Sequence, residues 1–185
     1  MDKKKYTNKD KLIKHCNKGC CFSVSWNFDW IPQPEWDTME QIKPIRTKKR
    51  RAGILVIDDS EIIPKIFLIQ SCGNLWGPPK GGVYDNETIK QGALREFYEE
   101  SGVKLNVNLE KCKSFKLNES IYFIIYLSKD KIGKIKPIDD PLNDASGYTW
   151  IKIDCLYLLE NKNFERGKKA ITGHCKKLLK LLNFI

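Results

Sequence analysis

An α/β protein built around one core is what this chain predicts, and three features carry that expectation. Two apolar runs, Ala52–Ile57 and Lys65–Gln70, read as buried strand partners across a polar turn at Asp58–Pro64. Thr88–Ser101 has no breaker except Gly92 and reads as a helix, with Gly102 as its stop. Further strand patterns and a Leu/Lys-rich closing helix follow. The length, 185 residues, suits one domain with modest extensions rather than two full cores. An apolar share of 41% with 11% aromatics is enough for a packed core and excludes wholesale disorder.

Residues 1–51 read as an extension ahead of a domain spanning 52–185. Within it, Lys9–Cys16 predicts a short helix, and Ser25–Trp36 is Trp- and Pro-rich and reads as irregular. The basic run Arg46–Arg51 leads into the first strand. After the second strand comes a loop dense in Gly and Pro, Ser71–Gly82, and then the helix. Lys113–Leu117, Ile121–Leu127 and Tyr148–Ile153 predict the later strands, and Gly167–Leu182 a closing helix with Leu178, Leu179, Leu181 and Leu182 beside Lys176, Lys177 and Lys180. There is no internal repeat.

No run reaches the 18 or more apolar residues of a membrane span, and Met1–Tyr6 lacks the apolar stretch of a signal peptide, so a soluble, intracellular protein is expected. Net charge is +10 and unevenly spread: 13 basic and 6 acidic residues in 1–51, 7 and 1 in 161–185, 13 and 16 between them. Basic flanks around an acidic centre suit a polyanion outside and a cation inside; the alternative is that a Lys-rich surface serves solubility. The seven cysteines, at 16, 20, 21, 72, 112, 155 and 175, are expected as thiols. A zinc site would have to join His15, Cys16, Cys20 and Cys21 to His174-Cys175, against the simpler reading of small, partly buried thiols.

The decisive stretch is Gly81–Val103. Glu96, Glu99 and Glu100 stand at i, i+3 and i+4, so a helix puts three carboxylates on one face with no Lys inside the triplet. Their repulsion makes sense if a divalent ion sits among them, since oxygen-only ligands are what Mg²⁺ or Mn²⁺ prefer. A solvated acidic face would explain three glutamates alone equally well. The wider spacing, G-x₅-E-x₇-R-E-U-x-E-E-x-G-U with U apolar, is met at all nine specified positions across 23 residues.

That pattern resembles the Nudix box, the signature of hydrolases acting on a nucleoside diphosphate linked to another group. The resemblance implies an α/β/α sandwich with a mixed central sheet. It implies metal binding by Glu96, Glu99, Glu100 and the Gly81 carbonyl, with Arg95 pairing Glu87 to hold loop and helix in register. Metal ions would neutralise phosphate oxygens and activate the attacking water. The general base implied is Glu99 or Glu100, or a later acid such as Asp144 or Glu119.

Ahead of the box, Leu75-Trp76-Gly77-Pro78-Pro79-Lys80-Gly81-Gly82 is similar to the W-G-F-P-K-G-K of Nudix decapping enzymes, cellular and viral. It is also similar to the W-x-P-P-K-G-H of diadenosine tetraphosphate hydrolases, and it departs from both at Gly82. Lys80 matches either and is expected to face the phosphate chain, whereas Trp76 is expected in the core. Basic flanks, the rings Trp26, Phe28, Trp30 and Trp36, and a tail of Trp strand, Leu-rich segment and basic helix favour capped mRNA as partner. Each single Trp serves equally to pin the extension onto the domain. Lys169, Lys176 and Lys177 are the expected contacts to the RNA body. The expectation is thus removal of the 5′ cap in the cytoplasm, the host's if the source is viral. The alternatives are hydrolysis of dinucleoside polyphosphates, diphosphoinositol polyphosphates or other nucleoside diphosphate-linked small molecules, and a silent module that only binds nucleotide or RNA.

Overall fold

The computed structural model describes residues 3–6, 11–14, 20–26, 28–31, 46–71, 75–136, 138, 145–156 and 171–185. Its strands are β1 (Lys3–Tyr6), β2 (Lys11–Lys14), β3 (Phe22–Ser25), β4 (Phe28–Ile31), β5 (Arg46–Asp58), β6 (Lys65–Ser71), β7 (Leu75–Gly77), β8 (Lys80–Tyr84), β9 (Ser114–Leu117), β10 (Ser120–Tyr126) and β11 (Gly147–Lys152). The helices are α1 (Ile89–Ser101), the short α2 (Lys129–Ile132) and α3 (Gly173–Leu181). Among the described residues no helix is long and apolar enough to cross a membrane.

Alternation along the strands explains the layers. Ala52, Ile54 and Val56 of β5, Phe67 and Ile69 of β6, and Phe123 and Ile125 of β10 face α1, where they meet Ala93 and Phe97. Leu55 and Ile57, Ile66 and Leu68, and Tyr122 and Ile124 face the other way, against Cys175, Leu178 and Leu179 of α3. Strands apolar on both faces must be covered on both, so the helices take opposite sides. The result is the expected α/β/α sandwich. Phe97 is fully buried and its ring lies 5.7 Å from that of Phe67. Truncating such a side chain to Ala costs about 3–5 kcal/mol.

The main sheet runs β2-β3-β11-β6-β5-β10-β9, with β7 added on β6 and β8 on β5. It is mixed: β10 runs parallel to β5, whereas β8 pairs antiparallel to β5 with Gly81 opposite Ala52 and Gly82 opposite Arg51. The chain between β8 and β10 contains α1, the crossover a parallel pair requires. α1 starts where its local chemistry says it should. The Thr88 side chain accepts from the Gln91 amide, and Gln91 returns a bond to the Thr88 amide. It stops at Gly102, whose φ of 73° is the left-handed conformation that favours glycine.

Three expectations need correction. Residues 11–14 form a strand rather than part of a helix, because β3 offers them an open edge, with Leu12 opposite Val24. The irregular stretch from Ser25 contains strand β4, which pairs with β1 in a separate ribbon. The first core strand begins at Arg46 rather than Ala52: its basic residues pair with β8 through an irregularity between Arg46 and Arg51. In the closing helix, Thr172 caps α3 by accepting from the Cys175 amide. The expected start at Gly167 is too early: Ile171 bridges Trp76 and Thr172 is the cap, so neither is helical, and residues 167–170 lie outside the described residues.

Candidate active site

The carboxylates are carried by the C-terminal half of α1 and meet the strand β8. Glu96 and Glu100 are buried, 4% and 9% exposed, while Glu99 is half-buried. A Cβ added at Gly81 would stand 2.0 Å from Glu96 Oε2, so only glycine lets this carboxylate lie against the strand backbone. Next to it, the Lys80 amide donates to Glu100 Oε2 at 3.2 Å. One turn of helix and two residues of strand thus put two buried acids at one point.

Arg95 organises the rest. Its Nε and Nη2 donate to Glu87 Oε2 and Oε1 at 3.0 and 2.6 Å, a two-pronged pair. Nη2 also donates to the Gly82 carbonyl at 2.6 Å, and Nη1 to Glu96 Oε1 and Glu99 Oε2, each at 2.9 Å. The guanidinium carbon lies 4.0 Å from the centroid of the Tyr84 ring, and the Tyr84 amide donates to Glu87 Oε1 at 2.7 Å. Burial works against the Arg95 charge, but Glu87, Glu96 and Glu99 outweigh it and hold the group above its ordinary range. Loop, strand and helix are therefore locked by one side chain, with Glu87 as its principal partner.

The donor set fits a hard divalent ion. Glu96, Glu99 and Glu100 offer oxygens only, the choice of Mg²⁺ or Mn²⁺ rather than a thiophilic metal. The Gly81 main chain beside Glu96 supplies a further oxygen on the same strand. A cavity of about 60 Å³, lined by Gly77, Pro78, Lys80, Glu100 and Thr172 among others, adjoins this group.

On the α3 side of the sheet, within electrostatic reach of Glu100 and Arg51, lies a second group that was not evident in the sequence. Tyr122 Oη and His174 Nδ1 are 3.0 Å apart. Burial pushes the Tyr122 hydroxyl up, so it stays protonated. Burial and then the positive charges of Lys80, Lys177 and Arg51 lower the His174 pKa. Alternation marks Tyr122 as facing α3, but its meeting with His174 depends on a partner 52 residues away.

Other expected residues are spread more widely. Glu119 is exposed in the turn before β10, and its carbonyl accepts from the Arg51 amide at 2.9 Å, at the same end of the sheet as Gly82. Trp76 is buried in the core, as expected. Trp26 is 4% exposed with its ring 5.9 Å from Tyr148, a placement that serves pinning rather than stacking on a ligand. Trp30 pairs with Lys4 in the β1–β4 ribbon. Lys176 is half-buried and Lys177 exposed on α3. Trp36, Asp144 and Lys169 lie outside the described residues, as do His15 and Cys16. His174 and Cys175 do not join Cys20 and Cys21: the first meets Tyr122 and the second is fully buried in the core.

A family model described as the NUDIX domain matches residues 47–172, more than half of the chain. Among solved structures, the NUDIX domain of Shewanella oneidensis NrtR complexed with ADP ribose is similar at a TM-score of 0.52 and 13% identity, over 83% of this chain and 97% of that one. A MutT/nudix family protein from Enterococcus faecalis is similar at a TM-score of 0.51 and 19% identity, over 81% and 66%. An Ap4A hydrolase of C. elegans, in a binary complex, gives 0.44 and 20%, over 57% and 81%. No curated protein sequence matches the chain.

Proposed function

Because the chain belongs to the NUDIX domain family, we propose that it is a metal-dependent pyrophosphohydrolase whose substrate is the 5′ cap of mRNA. The products are methylated guanosine diphosphate and RNA with a 5′-monophosphate. Residues 1–51 are a basic extension that adds β2, β3 and the start of β5 to the sheet, and 52–185 the catalytic domain.

The observation that carries the substrate reading is the positive charge beside the acids. Lys80, Lys177 and Arg51 all act on His174, whose partner Tyr122 lies within reach of both Arg51 and Glu100, and the Lys80 amide donates to Glu100. A polyanion anchored at the carboxylates has basic groups from β5, β8 and α3 to run along. A small dinucleotide has fewer phosphates to offer them.

Glu96, Glu99, Glu100 and the Gly81 carbonyl would hold Mg²⁺ or Mn²⁺, which would supply charge neutralisation for the diphosphate and a lowered pKa for the attacking water. Arg95 keeps Glu96 and Glu99 aimed together and ties them through Glu87 to the Tyr84 amide. Lys80 pairs with a phosphate oxygen. Glu99 or Glu100 takes the proton of the attacking water, with Glu119 the alternative at this end of the sheet and Asp144 a further one.

The test is turnover with Mg²⁺ on cap-labelled RNA beside a free cap dinucleotide, dinucleoside polyphosphates and diphosphoinositol polyphosphates. Release of methylated guanosine diphosphate, fastest from the long RNA, is expected. Faster cleavage of a small substrate reassigns the enzyme to it, and no turnover of any leaves a binding module.

A further inference from the structure

Three thiols converge away from the carboxylates. Cys20 and Cys21 immediately precede β3, and Cys155 ends the 3₁₀ turn Ile153–Cys155 that follows β11. β3 and β11 are antiparallel neighbours, with Phe22 opposite Trp150, so the chain ahead of one strand and the chain beyond the other emerge together. All three sulfurs lie within 4.8 Å of one another, and those of Cys20 and Cys21 are 3.5 Å apart.

Neighbouring residues of an extended segment point to opposite sides. Cys20 and Cys21 instead turn both sulfurs to one place, and a third arrives there from the end of the neighbouring strand β11. Zinc–sulfur bonds of about 2.3 Å in a tetrahedron set sulfurs about 3.8 Å apart. A disulfide needs about 2.05 Å. The 3.5 Å between Cys20 and Cys21 lies near the first figure and far from the second.

The surroundings also suit a metal. The Lys152 main chain lies beside the Cys21 thiol and the Asp154 carboxyl beside that of Cys155, where outer contacts can orient ligands. Cys21 is fully buried, whereas Cys20 and Cys155 are half-buried and open a route from solvent. Soft sulfur donors discriminate against the hard ion that suits the glutamates.

We propose that Cys20, Cys21 and Cys155 bind one Zn²⁺ ion as thiolates, with water or Asp154 in the fourth position, and that the ion clips the start of β3 to the end of β11. Binding releases the three thiol protons to solvent, with no change of oxidation state.

The experiment uses full-length protein purified under reducing, chelator-free conditions. About one zinc per chain is expected after gel filtration, falling at least about tenfold in both Cys20→Ser and Cys155→Ser. The half-buried positions tolerate a hydroxyl better than buried Cys21 would. Glu100→Gln should retain its zinc. Co²⁺ added to reduced, metal-free protein should give a near-ultraviolet thiolate-to-cobalt band, absent from both Ser variants. A wild-type cobalt complex without that band overturns the proposal. So does zinc that survives in Cys155→Ser but is lost in Glu100→Gln, or reduced protein that takes up no zinc and forms a disulfide in air.

Discussion

The helices on the two faces of the sheet handle charge in opposite ways. α1 buries Glu96 and Glu100, and Arg95, Gly82 and Glu87 form a fixed hydrogen-bonded frame around them. α3 buries Cys175, Leu178 and Leu179 and leaves Lys177 and Lys180 exposed. Burying a charge is costly unless its partners are in place, so a buried acid cluster is specific to position. Exposed lysines are nearly interchangeable and are screened by salt. One helix can define a reaction centre, and the other can only supply a field.

The largest effect should come from the acidic helix. Glu100→Gln keeps an acceptor for the Lys80 amide but removes a negative charge, so turnover should fall at least about 100-fold. The melting temperature should hold or rise, since repulsion is relieved. Steady-state assay at saturating Mg²⁺ with thermal denaturation checks both; unchanged turnover would sink the assignment of the site.

Arg95→Ala should separate frame from chemistry. It strands Glu87 and Glu96, whose side chains are only 11% and 5% exposed. Breaking such a pair costs about 3 kcal/mol or more, which lowers the melting temperature by about 6–12 °C in a domain of this size. Arg95→Lys should recover only part of it, because an ammonium cannot reproduce the two-pronged bond to Glu87.

Changing Lys176, Lys177 and Lys180 together to Gln should leave the α3 packing and the cleavage of a free cap dinucleotide intact. Each lost phosphate contact should lower the log–log salt slope for single-stranded RNA by about 0.7. Filter binding across a salt series measures it. Equal loss on both substrates would mean that this helix serves the site directly.

The smallest effect belongs to His174. Its pKa lies below the ordinary 6.5, first through burial and then through Lys80, Lys177 and Arg51. The unfolded chain then binds the proton more readily, so this contribution to stability is complete above 6.5 and is lost as pH falls toward the lowered folded value. Denaturant melts of His174→Gln should show a flatter acid limb than the parent; an unchanged limb would remove His174 as its source.

α1 was legible in the sequence because its unbroken run, the Gly102 stop and the spacing of its acids are all local, whereas the Arg95–Glu87 pair came from the family resemblance and the Thr88 cap from the structure. The layered sheet was legible through the family resemblance, with which the order of apolar runs and helices agreed. What could not be read depends on distant partners. Lys-Leu-Ile-Lys at 11–14 is too short for its period to decide between helix and strand, and the edge of β3 decides it. Cys20 and Cys21 stood out, yet Cys155 did not, because only the β3–β11 pairing brings it to them. Tyr122, His174 and Arg51 come from three elements, and no single stretch announces their meeting.

The β3–β11 ladder also sets a schedule for making the protein. Thr149 donates its hydroxyl to the Phe22 carbonyl across 127 residues of sequence. At roughly 5–20 residues per second, β11 leaves the ribosome about 6–25 s after β3. In that interval β3 has no β11 edge to dock on, and the buried positions of Val24 and Trp26 have no Tyr148 to cover them. Chain topology so dominated by distant pairing folds slowly and exposes strand edges on the way. β3, an early strand of this sheet, must therefore wait for β11, the last of the described strands, and the nascent chain is most vulnerable to misassociation through the open β3 edge.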